Sequence, residues 1–230
     1  MNEITTAIDA YANMVRERAR QSAGISDETI YRMVDRVLDG RHESGGTLAD
    51  VGCGSGQLWP FVRKRFVSYI GVDVIRYEEF PAEAEFHLAD LNSGQLPLPD
   101  SSADVVASLE TIEHLENPRA FTRELVRVAK PGSWVVISTP NQLSLLSLIT
   151  LLAKHQFNAF QDVHYPAHLT ALLEVDLRRM ASECGLADVY VGYSLQGRLP
   201  LTPWHYPKSL ARIFPRALSD NLLLLGRKTV

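Results

Sequence analysis

A chain of 230 residues is long enough to bury a sizeable core and sits where one domain is the default expectation. Its 46% hydrophobic and 22% charged residues exclude a disordered chain. A net charge of -4 supplies no global electrostatic footprint for nucleic acid or an anionic membrane, leaving only a local basic patch as a route to either.

The N-terminus has no basic start followed by an apolar run, so it does not read as a secretory signal, and the expected compartment is the cytoplasm. Residues 3–22 and 26–39 carry helical spacing, with Arg16, Arg18 and Arg20 on a solvated face and the second helix starting at Ser26-x-x-Thr29. From Thr47, β-rich runs at 47–52, 67–73, 84–89, 103–109 and 133–139 alternate with segments able to form helices, among them Leu58 to Arg65 and 118–130. Such alternation predicts a parallel sheet covered on both faces. Pro131-Gly132 is a turn signal before the strand SWVVIST. The stretch Leu143 to Ala153 is broken by Ser144, Ser147 and Thr150 and is about half the ~20 residues a membrane span needs. It reads as a helix with an apolar face, compatible with a pocket cap, a dimer contact or a core helix. A further helix at 174–184 leads to the run DVYVGYSL, and NLLLLGRK reads as an edge or antiparallel closing strand. The expected organisation is one domain over 1–230, with a helical cap at 1–44, a core at 45–193, and a variable loop and closing strand at 194–230. The two cysteines, Cys53 and Cys184, read as free thiols in a reducing compartment.

The segment Leu48-Ala-Asp-Val-Gly-Cys-Gly-Ser-Gly-Gln57 follows the first β-run. By itself it is a tight strand-to-helix turn or a dinucleotide-binding turn. Gln57, however, occupies the last glycine position of Gly-x-Gly-x-x-Gly, and the strand-terminal Asp50 suits a cationic ligand better than a pyrophosphate. Asp73 and Asp90 end the next two β-runs, where ligands of open α/β sheets bind. The segment resembles the Asp/Glu-x-Gly-x-Gly-x-Gly signature of class I S-adenosylmethionine-dependent methyltransferases. The resemblance covers roughly residues 45 to 190, continuing through Leu96-Pro-Leu-Pro-Asp and Pro131-Gly-Ser-Trp. It implies an α/β, Rossmann-like fold: a mainly parallel seven-stranded sheet with helices on both faces and an N-terminal helical cap. It also implies S-adenosylmethionine as cofactor, held by Asp50, Gly52, Cys53, Gly54 and Gly56 at the methionine portion. Asp73 would then take the ribose hydroxyls, Asp90 the adenine amine, and Leu91 and Leu109 would lie beside the cofactor.

After the fourth β-run stands Glu110-Thr-Ile-Glu-His114. If helical, positions i, i+3 and i+4 share a face, so Glu110, Glu113 and His114 would point together. This stretch resembles ubiquinone-biosynthesis O-methyltransferases and also RNA ribose 2′-O-methyltransferases, in which Glu-x-x-Glu-His and a later histidine hold a metal. The resemblance implies Glu110, Glu113, His114 and His168 as ligands for Mg²⁺ or Mn²⁺, with His164 as a substitute, and His114 and His168 as catalytic residues. The alternative is acidic residues serving a helix N-terminus, with His114 a general base and no metal. Ser138-Thr139-Pro140-Asn141 matches an element beside the acceptor pocket, whereas Leu173-Glu174-Val175 departs from the related Thr-Pro-Glu. The stretch around Trp204-His205-Tyr206 resembles methyltransferases of cell-surface polysaccharide synthesis. The expected activity is O-methylation of a small-molecule, sugar or lipid-linked acceptor. A silent cofactor-binding regulatory subunit and an NAD-linked enzyme are the readings from other classes.

Overall fold

The computed structural model describes residues 13, 15–17, 19–20, 24–42 and 44–230. The expected helix over 3–22 lies largely outside the described residues, as does Arg18, although 15–17 and 19–20 are helical. Seven strands form one sheet: β1 (Thr47–Val51), β2 (Ser68–Asp73), β3 (Glu85–Leu88), β4 (Ala103–Leu109), β5 (Ala129–Pro140), β6 (Leu186–Tyr193) and β7 (Asn221–Lys228). Their order is β3-β2-β1-β4-β5-β7-β6, parallel except where β7 runs antiparallel to β5 and β6. This is the expected Rossmann-like class I methyltransferase architecture, and its antiparallel β7 is an interior strand, not an edge.

Alternation along the strands divides the core. Ala49, Val106 and Val135 enter one apolar cluster while their neighbours Leu48, Val105 and Val136 enter the other, as the two-residue pleat requires. The second cluster is covered by α1 (Glu28–Leu38), which contributes Ile30, Met33 and Val34. Asp27, not Ser26, caps this helix: its carboxylate accepts from Thr29 N at 2.8 Å. After β1 the chain makes a short helix α2 (Trp59–Val62), and α3 (Pro118–Val128) covers the first cluster with Phe121 and Leu125. The chain passes from α3 straight into β5, so Pro131-Gly132 lies inside a strand. The register shift between Ala103 and Val105 accommodates it, with Gly132 at φ +77. Helices α4 (Leu145–Lys154), α5 (Glu174–Glu183) and α6 (Lys208–Ile213) complete the chain. Among the described residues no helix is long and apolar enough to cross a membrane.

Candidate functional site

Because β1 to β4 are parallel, their carboxyl ends meet at one edge, and a cavity of about 350 Å³ opens there. Asp50, Gly52, Cys53, Gly54, Asp73, Asp90, Leu91 and Leu109 all line it, and so do Glu110, Glu113, His114 and His168. Gly56 and His164 are not part of the lining. The wall also includes Ser26, Asp27 and Tyr31 from the N-terminal cap, Tyr77 and Asn221. Sequence reasoning missed these, since Tyr31 sits in the apolar repeat of α1 and Asn221 merely opens a strand.

The glycine-rich turn is shaped by the protein itself. Gly52 has φ +78, and a Cβ there would lie 2.1 Å from Thr111 Oγ1; Gly54 has φ +51, and its Cβ would lie 2.1 Å from Gly24 O. These glycines therefore admit close internal packing, as a tight strand-to-helix turn requires whether or not a ligand approaches it. Gly54 N donates to Asp73 Oδ2 at 2.8 Å, and Val74 N and Ile75 N both donate to Oδ1, at 2.7 and 3.3 Å. The Asp73 carboxylate is thus pinned by three backbone donors, with Oδ2 keeping room for a further one. Burial raises its pKa, and the backbone donors oppose that rise. Asp90 accepts from Asn92 N through Oδ1 at 2.9 Å. Asp50 accepts from Tyr69 Oη at 2.7 Å, and burial pushes its pKa up to about 7. Cys53 and Cys184 are both unpaired thiols.

Beyond the same edge the turn after β4 is a single 3-10 turn, Ile112–His114, preceded by Glu110 at φ +48. That backbone sends Glu110 away from its expected partners. Ser138 Oγ donates to its Oε1 at 2.8 Å and Asn221 Nδ2 to its Oε2 at 2.7 Å. Glu113, His114 and His168 do converge, each offering a ligand atom within 4.8 Å of the others. The two imidazole centroids are 4.7 Å apart, edge to face. His114 Nδ1 lies 2.9 Å from Ala167 O and His168 Nδ1 lies 2.6 Å from Ala159 O. A carbonyl partner assigns the proton to Nδ1 in each ring and leaves Nε2 basic. Burial lowers the pKa of His114, against the pull of the Ala167 and Glu110 carbonyls, and takes His168 down to about 4. Both rings are therefore held neutral. Burial raises Glu113 to about 8. His164 stacks on His168 at 5.5 Å, outside this group.

The chain matches the family described as a methyltransferase domain over residues 17–191, and it belongs to that family of class I S-adenosylmethionine-dependent methyltransferases. A probable S-adenosylmethionine-dependent methyltransferase of Mycolicibacterium smegmatis is 33% identical over 104 residues, 44% of this chain and 40% of that protein. A ubiquinone biosynthesis O-methyltransferase of Hydrogenovibrio crunogenus is 26% identical over 149 residues, 61% of each chain. The chain thus covers less than two thirds of these curated relatives. A SAM-dependent methyltransferase structure from Archaeoglobus fulgidus superposes with a TM-score of 0.60 at 19% identity, covering 86% of this chain and 94% of that one. At that identity the likeness speaks for the fold.

Proposed function

We propose that the protein transfers a methyl group from S-adenosylmethionine to a hydroxyl or similar heteroatom of a small-molecule, sugar or lipid-linked acceptor. The observation carrying this reading is one cavity lined by the strand-end carboxyls of Asp50, Asp73 and Asp90 and by the neutral imidazoles of His114 and His168. The donor, when bound, supplies a methyl group already activated on its sulfonium. Asp73 offers its carboxylate, through Oδ2, to the ribose hydroxyls, Asp90 its second carboxylate oxygen to an exocyclic amine, and Asp50 a negative charge to the cationic end. His114 takes the acceptor proton on Nε2 while its Nδ1–H stays on the Ala167 carbonyl. No covalent intermediate with the protein is required.

The convergence of Glu113, His114 and His168 supports a second reading, a Mg²⁺ or Mn²⁺ ion beside the acceptor. The residues fit such a group: one carboxylate and two imidazoles form an oxygen/nitrogen set, and each ring is oriented by a carbonyl in the way metal-bound histidines commonly are. The ion would lower the pKa of an acceptor hydroxyl. Glu110 is committed to Ser138 and Asn221 and is left out of this set.

Calorimetry with S-adenosylhomocysteine, against NAD as the competing ligand, tests the cofactor. The wild type should bind S-adenosylhomocysteine alone, and Asp73→Asn should weaken it by about 1–3 kcal/mol. Unchanged affinity in that variant removes Asp73 from the ribose site. Methyl-labelled donor incubated with metabolite extracts tests transfer, and binding without transfer to any acceptor would favour the regulatory subunit. Full turnover in EDTA discards the ion and keeps His114 as base; loss in EDTA with return on Mn²⁺ establishes it.

A further inference from the structure

Helix α4 turns much of its apolar surface outward. Its inward side carries Ser147 and Thr150 with half-buried Leu146 and Leu151, while Leu145, Leu148 and Ile149 are exposed by 39%, 38% and 41% and Leu152 by 81%. Spacing of i, i+3, i+4 and i+7 places these four on one stripe. The polar face is used by the protein: Ser144 caps the helix, and Ser147 Oγ accepts from Asn158 N at 3.2 Å. The start of this helix is tied to the segment after α6, since Leu145 N donates to Ala217 O at 2.7 Å and Leu218 N to Phe214 O at 3.0 Å. There Ile213 and Phe214 are exposed by 67% and 56%. The turn closed by the Arg198–His205 bridge adds Leu201 and Trp204, exposed by 105% and 73%.

The charge around this surface runs against that of the whole molecule. In a chain of net charge -4, residues 195–219 contain Arg198, Lys208, Arg212 and Arg216 and no acidic residue. Arg198 is paired with Asp220, but Lys208 and Arg212 are exposed and make no ion pair among the described residues. Exposed leucine, tryptophan and phenylalanine beside unpaired cations is the surface chemistry of a protein that lies on an anionic bilayer. The apolar groups enter the headgroup boundary, and the Lys and Arg stems reach phosphates above it. A second copy of the chain fits poorly, because a two-fold interface would set the basic segment against itself.

We propose that α4, the 198–205 turn and α6 form a docking face for an anionic phospholipid membrane. This surface is distinct from the cavity walls and would bring the protein to acceptors held in or on a lipid layer.

The test is co-sedimentation of the full chain with vesicles of phosphatidylcholine alone or mixed with phosphatidylglycerol. Binding should appear with phosphatidylglycerol and be about tenfold or more weaker without it. The exposed double variants Leu148→Asp/Leu152→Asp and Lys208→Glu/Arg212→Glu should each lose about tenfold or more, with thermal midpoint and S-adenosylhomocysteine affinity unchanged. No binding to either vesicle overturns the proposal. So does binding that survives the leucine variant, or a concentration-dependent dimer that this variant dissolves, which would assign the face to a second copy. Since cofactor affinity is read on the same variants, failure here leaves the methyl-transfer reading standing, and the reverse also holds.

Discussion

Gly52 occupies a left-handed backbone conformation at φ +78, and Thr111 already fills the space where a side chain would begin. Alanine at this position meets both penalties, a strained φ and a contact at 2.1 Å. Gly52→Ala should therefore lower stability by about 2 kcal/mol or more, seen as a fall in Tm of roughly 4–8 °C by calorimetry. An unchanged Tm would mean that the turn relaxes freely and that the glycine serves a ligand after all. The same residue illustrates what the chain discloses on its own. The spacing of Asp50, Gly52, Gly54, Asp73 and Asp90 was readable because each closes or follows a strand, so local pattern fixes where it stands. Thr111 and Gly24, the partners that demand the glycines, lie far along the chain and carry no local signal.

The turn Ile112–His114 and the segment carrying His168 behave as one structural element. Leu169 N and Thr170 N both donate to Glu113 O, at 2.9 and 3.0 Å, and Thr170 Oγ1 donates to Leu115 O at 2.9 Å. Together with the His114–Ala167 bond these contacts hold the two imidazoles against each other at the cavity wall. His114→Ala removes the basic Nε2 without touching the strand-end acids. Turnover should fall by about 10²–10⁴-fold while S-adenosylhomocysteine affinity stays the same. A variant that turns over at the wild-type rate would dismiss His114 as base. Helical spacing joined Glu113 and His114, and the family resemblance added His168, but the same spacing placed Glu110 beside them, because i, i+3 and i+4 coincide only on a regular helix. The single 3-10 turn and the positive φ of Glu110 break that rule, and the bonds to Ser138 and Asn221 that favour this break come from β5 and β7. For the same reason the apolar repeat of α4 was visible while its outward orientation was not. Periodicity defines a face, and only tertiary contact decides which face is packed. Parallel pairing was inferable from the alternation of strands with helices, whereas the strand order and the interior place of β7 depend on pairing between residues distant in sequence.

At the scale of the whole molecule, four carboxyl groups, Asp50, Asp73, Glu110 and Glu113, surround one cavity, and burial raises the pKa of each. This arrangement concentrates acceptors and latent negative charge where a cationic ligand is expected, at a cost to the empty protein. For Asp50 the folded pKa of about 7 lies above the ordinary 3.8, so the folded state binds the proton more tightly than the unfolded one. Its stabilising contribution is complete below the unfolded value and is lost as pH rises through the folded one, the reverse of a carboxylate in a salt bridge. At ~1.4 kcal/mol per unit the Asp50 shift corresponds to a ceiling of about 4 kcal/mol. The Asp50 contribution to the Tm of the ligand-free protein should therefore fall away between about pH 4 and pH 7. Asp50→Asn keeps an acceptor for the Tyr69 hydroxyl but has no proton to lose, and should make the fall in Tm shallower, leaving the part due to Asp73, Glu110 and Glu113. Saturating S-adenosylmethionine should flatten it in the wild type as well, because a cation beside the carboxylate draws its pKa back down. Scanning calorimetry across this pH range, with and without the cofactor, measures all three curves. If Asp50→Asn and the wild type lose stability in parallel, the buried charge at Asp50 is not what the cavity holds in readiness for its ligand.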